Sequence, residues 1–208
     1  AGSVTPEYMS TGATPTGGSW RAAFASMMVQ DPMFARNIAN RLWKQLFNLA
    51  LVDPVDSLDP ARLDPDNEPP APWSRQATHP ALLEKLAAEL GRQDFKLRGF
   101  LRVLVRSSAY QLSSRFGGEW NPDHLTLFNR RVARRLEAEE VLDAILAATG
   151  VPGDLPVQGW GERAPWAMQL PEPLEPTGNA PVAGFLNAFL RGDRDTQDRS
   201  QAGSIQQQ

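Results

Sequence analysis

The sequence predicts a mainly α fold, an irregular helical domain wrapped by long Pro- and Gly-rich loops. Apolar residues recur at three- and four-residue intervals in several segments between Trp20 and Leu190, the spacing that lines one face of an α-helix. Eighteen prolines and 16 glycines among 208 residues separate those segments with stretches that no long helix can occupy. A hydrophobic content of 41% is enough to build a core.

Residues 1–19 are small and polar and read as an extended lead-in. Ala1 to Pro6 has no charged n-region and no apolar h-region, so it is not a signal peptide and is expected to be a mature or excised end. The helical domain is expected over 20–190. Ser19 is the expected cap of a first helix from Trp20 to Met28. Asp31-Pro32 opens the next one, with Asp as cap and Pro in the first turn. That helix carries Phe34, Ile38, Leu42, Trp43, Leu46 and Phe47, a stripe wide enough to be buried on more than one side.

From 51 to 73 the pattern changes. Six acidic residues oppose Arg62 alone, and six prolines interrupt the stretch, so a long acidic loop is expected. Thr78-His79-Pro80 opens a further helix with Leu82, Leu83, Leu86, Ala87 and Leu90 on one face and Gly91 as its expected stop. Another helix, from about Phe95, places Leu97, Phe100, Leu101, Leu104 and Val105 on one side and Arg98, Arg102 and Arg106 on the other. Tyr110 to Asp123 reads as a turn-rich connector. Ala138, Val141, Leu142, Ile145, Leu146 and Thr149 give an amphipathic helix stopped by Gly150, with Glu137, Glu139 and Glu140 complementing its dipole. Beyond Pro152 the sequence is irregular apart from a helical run over Val182–Leu190, and 191–208 is a polar tail. The expected core is Trp43, Phe47, Leu86, Leu101, Leu104, Val141 and Ile145.

Composition narrows the chemistry. The absence of cysteine excludes disulfides, thiol catalysis, zinc-ribbon spacing and covalent c-type haem attachment, and fits a location outside the cytoplasm. His79 and His124 are the only histidines, too few for a His-rich metal site in one chain. A formal charge of −3 gives no bulk case for nucleic acid or anionic lipid. The longest apolar runs are far shorter than the ~18 residues of a membrane span. There is no Gly-x-Ser-x-Gly elbow, P-loop or dinucleotide fingerprint, and no catalytic, cofactor-binding or metal-ligating residue is assigned.

Weaker patterns leave alternatives open. Asp64, Asp66, Asn67 and Glu68 offer hard oxygens for calcium, without the sixth-position glycine of an EF-hand. A solvated acidic loop is the other reading. Between Gly91 and Arg135, ten Lys and Arg face three Asp and Glu. That segment is either an interaction surface or a salt-bridge network partly satisfied by the acidic loop. The interaction surface would comprise Arg98, Arg102, Arg106, Arg130 and Arg131 with Trp120 and Trp160. The leading expectation is a non-catalytic structural or interaction domain. The alternatives are a hydrolase of extracellular polymers using Glu137 or Glu140 with His79 or His124, and a carbohydrate-binding module using Trp120 or Trp160.

Particular strings add a family resemblance. They are Asp31-Pro-Met-Phe-Ala-Arg-Asn-Ile-Ala-Asn-Arg-Leu-Trp-Lys44, Leu51-Val-Asp-Pro-Val-Asp56, His79-Pro-Ala-Leu-Leu83, Ser107-Ser-Ala-Tyr-Gln-Leu-Ser-Ser114, Arg134-Arg-Leu-Glu-Ala-Glu-Glu-Val141 and Ala188-Phe-Leu-Arg-Gly-Asp-Arg-Asp195. In this order, from about Trp20 onward, they resemble the planctomycete and acidobacterial PSD-one family. That family is a domain of unknown function that often accompanies planctomycete-type cytochrome c domains. The resemblance implies no catalytic residue. It implies an extracytoplasmic protein, periplasmic or secreted, acting with a larger complex or with other domains of a longer precursor. The implied roles include an accessory subunit of a c-type-cytochrome-containing electron-transfer complex and peripheral association with a membrane complex. The family pattern continues past Gln208 with an Ala-Leu-x-Leu-x-Asn helix, so the chain is expected to be a fragment.

Overall fold

Capping chemistry starts the first two helices where the sequence places them. In the computed structural model, which describes residues 5–192, α1 spans Trp20–Gln30 and α2 spans Pro32–Phe47. The Ser19 hydroxyl accepts from Ala22 N, and the Asp31 carboxylate accepts from Met33 N, each satisfying an orphan donor of the first turn. The described residues are mainly helical and form two compact units that divide between Ala133 and Arg134.

In the first unit, α2 packs against α3 (Pro80–Arg92) and α4 (Leu97–Arg106). Ala39, Trp43 and Phe47 of α2 meet Leu83, Leu86 and Leu90 of α3 and Phe100 and Leu104 of α4 in one core. Leu101 is only partly buried at its edge. The acidic loop contributes Leu51, Val52 and Leu63, all essentially inaccessible, so it is laid over the helices by its own apolar residues. Asn40, also fully buried, holds the loop's start: its Oδ1 accepts from Leu51 N and Val52 N, and its Nδ2 donates to the carbonyls of Val52 and Val55.

The end of α3 differs from the sequence expectation. Gly91 does not stop α3, which continues to Arg92. The left-handed positions are Asp94 and Phe95, at φ 53° and 54°. Phe95 N donates to Leu90 O, and its ring packs 5.4 Å from Phe34. Packing therefore holds a conformation that glycine would have adopted without strain.

Before α1, Tyr8 bridges Ala13, and the Tyr8 and Ser10 hydroxyls both donate to Asp31 Oδ2. One carboxylate thus caps α2 and anchors the lead-in. Donation from Ser10 is the main reason the Asp31 carboxyl lies below its ordinary range, with Met33 N, Tyr8 and the nearby Arg36 adding to the effect. A depressed carboxylate contributes stability above its unfolded-state value and loses it as pH falls through the folded one. Amide exchange at Tyr8 and Gly12 is expected to accelerate as the pH falls below the ordinary aspartate range, after correction for intrinsic rates. Asp31→Asn should remove most of that pH dependence.

The second unit holds α5 (Ala138–Thr149), β1 (Leu155–Pro156), β2 (Arg163–Ala164) and α6 (Ala180–Ala188). β1 and β2 pair antiparallel, Leu155 opposite Ala164. Gly150 ends α5 at φ 68°. Its core is Ala138, Leu142, Leu155, Val157, Ala164, Ala167 and Leu186. Here the expected core is corrected: Val141 is half-buried and Ile145 is 44% exposed. The helix turns Ala138, Glu139 and Leu142 inward instead. Asp143 accepts from Ala167 N and Met168 N, fastening the segment after β2 to α5. Arg191, the first residue of the expected polar tail, is buried; residues 193–208 lie outside the described residues.

Candidate interaction surface

The four-residue spacing of Arg98, Arg102 and Arg106 puts them on one side of α4, because four residues advance a helix by slightly more than one turn. Phe100 and Leu104 face the core, whereas the three arginines are exposed. Among the described residues, none of their side chains makes an ion pair or hydrogen bond. Exposed Val103 flanks the row, and Leu97 is exposed at its start. Where α3 turns into α4, Arg92, Gln93, Asp94, Lys96, Arg98, Gly99 and Arg102 line an open concavity of about 490 Å³. Arg92 is engaged there by Glu89. Its donation, with that of Gln93, holds the Glu89 carboxyl down at about 2.

Arg130 and Arg131 are placed differently. The Arg130 guanidinium lies 3.7 Å from the Trp120 ring centroid and donates to Ser114 O. The Phe116 and His124 rings pack at 5.4 and 5.8 Å from Trp120. Arg131 lies 3.8 Å over Tyr110, and its backbone N donates to Ser113 O. These cation–π pairs fold the 107–131 connector onto the first core, so both arginines and Trp120 pack against the chain itself. Arg134 is bidentate to Glu140, and Arg135 lies 5.9 Å from the Phe189 ring. The acidic loop pairs elsewhere, through Lys44–Asp53, Arg41–Asp56 and Arg75–Glu68. Of the expected surface, Arg98, Arg102 and Arg106 form one exposed row, and Trp160 is an exposed ring in the second unit.

The residues of the hydrolytic alternative have local tasks. Glu140 accepts from Glu137 N as a helix cap in addition to pairing with Arg134. His124 is enclosed by Phe116 and Trp120, and His79 packs 5.7 Å from Phe128. Asp64 accepts from Asp66 N, Asn67 N and Asn67 Nδ2. Among the described residues, no group of three or more His, Asp and Glu side chains is arranged to hold a metal ion, and no helix is long and apolar enough to cross a membrane.

Sequence reasoning missed Asn40 and the Tyr8–Ser10–Asp31 anchor. It also missed the buried group of Glu139, Glu175 and Arg191 in the second unit. Asn40 carried a signal, since it falls on the same face of α2 as Trp43 and Phe47, where a polar residue needs buried partners.

Comparison with known proteins supplies a family and no activity. The family model PSD1, described as a protein of unknown function (DUF1553), matches residues 20–159. No curated protein and no solved structure matches.

Proposed function

Because the chain belongs to the PSD1 family of unknown function (DUF1553), we propose that it is a non-catalytic interaction domain acting outside the cytoplasm. Its role is that of an accessory subunit docked to a larger membrane or c-type-cytochrome-containing electron-transfer assembly. The observation carrying this reading is the row Arg98, Arg102 and Arg106, which is exposed and, among the described residues, without an ion pair, while Arg36, Arg41, Arg75, Arg92 and Arg163 all engage carboxylates. Cations at i, i+4 repel one another by a few tenths of a kcal/mol per pair. Among the described residues no ion pair of the row offsets that repulsion, and an anionic partner would. The extracytoplasmic placement and the cytochrome association rest on the family resemblance and on the cysteine-free composition.

Cell fractionation followed by gentle isolation and mass spectrometry tests the reading. The protein is expected outside the cytoplasm, in a species far heavier than its own polypeptide, with cytochrome-containing partners at fixed stoichiometry. Recovery as a free monomer, or from the cytoplasm, would overturn it.

A further inference from the structure

We propose that the outer face of α4 binds an acidic amphipathic helix of a partner protein, with carboxylates at four-residue spacing and apolar residues beside them. The proposal rests on the interaction-domain reading and names the chemistry of its partner. Successive arginines of the row stand about 6 Å apart along the helix axis, four residues at about 1.5 Å each. An antiparallel helix bearing an acid every fourth residue repeats at the same interval, so each guanidinium meets one carboxylate. Guanidinium is suited to that contact because its planar fork grips a carboxylate bidentately.

The surroundings favour a polypeptide over a sugar or nucleic-acid polyanion. Val103 is 41% exposed beside the row, and Leu97 is 48% exposed at its start. A partner helix laid on the row can cover Val103 with an apolar side chain, which a sulfated sugar or phosphate chain lacks. The concavity at the start of α4 adds Lys96 and the engaged Arg92, against Asp94 as the only acid in its lining. Asp53, Asp56 and Glu68 of the chain's own acidic loop are committed to Lys44, Arg41 and Arg75. α4 has no acid in its first turn, and Arg98 lies where the helix dipole disfavours a cation. Among the described residues the row therefore has no counter-charge of its own, and it is complementary to an anionic helix.

The test uses the full chain and two synthetic helical peptides of equal composition. One carries glutamate at every fourth position, and the other has its glutamates respaced. The first is expected to bind at least about tenfold tighter, and to weaken at least about tenfold between about 50 and about 300 mM salt. Arg102→Glu should lose at least about tenfold in affinity. Its melting temperature should stay level or rise, because the introduced carboxylate would pair with Arg98 and Arg106. Equal binding of both peptides, tighter binding of a heparin fragment or a DNA duplex, or unchanged affinity in the variant would each overturn the proposal. So would a lowered melting temperature, which would assign the row a structural role. If native isolation recovers the same assembly with Arg102→Glu, this partner is wrong and the interaction reading stands. If the unaltered protein is recovered in no assembly, that reading falls whatever the peptides do.

Discussion

Asn40→Ala is expected to destabilise the first unit by about 3–5 kcal/mol, at the upper end of what one substitution does. The side chain is fully buried and serves two acceptors and two donors of the backbone between Leu51 and Val55. Alanine leaves the amides of Leu51 and Val52 and the carbonyls of Val52 and Val55 without that partner in an apolar setting. Each such group costs about 1–3 kcal/mol when left unsatisfied, and partial relaxation of the loop returns some of it. Asn40→Asp keeps the acceptor but puts a charge against two carbonyl oxygens, so it should not rescue. Asn37→Ala, three residues earlier, loses only the bond from Arg41 Nε and should cost less than about 1 kcal/mol. Chemical denaturation gives the size of the effect. Hydrogen exchange should place the lost protection at Leu51, Val52 and Thr78, whose amide donates to Leu51 O.

Arg191→Met is expected to cost the second unit about 3–5 kcal/mol. Arg191 is buried with its Nη1 donating to Glu175 O at 2.7 Å and its Nε to Asn187 Oδ1 at 2.8 Å. Burial pulls the guanidinium down, and the charges of Glu139 and Glu175 push the other way. Those two glutamates are themselves buried. Removing the cation takes the favourable charge away from two buried carboxylates and leaves Glu175 O and Asn187 Oδ1 without their donor. The Glu175 carboxylate keeps its bonds from Gln158 N and Thr177 N. The damage should therefore centre on α6, where hydrogen exchange at Leu186 to Phe189 reads it. Arg191→Lys retains the charge without the fork and should recover part of the loss.

What was legible in the sequence follows a simple physical division. Helix starts were legible because Ser19 and Asp31 cap by local chemistry, and Gly150 stops α5 by its left-handed φ. The arginine row was legible because a four-residue interval needs only helical geometry to become a stripe. The burying face of α5 was not legible. That segment is apolar around much of its circumference, and whether Ile145 or Ala138 turns inward depends on residues such as Leu155, Ala164 and Leu186 that are distant in sequence. Gly91 misled for a related reason: the tertiary contact of Phe95 with Phe34 sets the turn. The fate of Arg130 and Arg131 was hidden too. A cation seated on Trp120 or Tyr110 across an irregular connector leaves no periodic trace, and the charge count alone grouped both with the exposed row.

The most direct test of a docking role is photo-crosslinking in the native cell from position 103, where Val103 sits exposed beside Arg102 and Arg106. The control places the same photoreactive residue at Ala147, exposed on α5 in the second unit. A docked α4 predicts a discrete adduct from position 103 that Arg102→Glu abolishes and that position 147 does not give. No adduct from position 103, or the same adducts from both positions, would contradict the assignment of this protein as an interaction domain that works through α4.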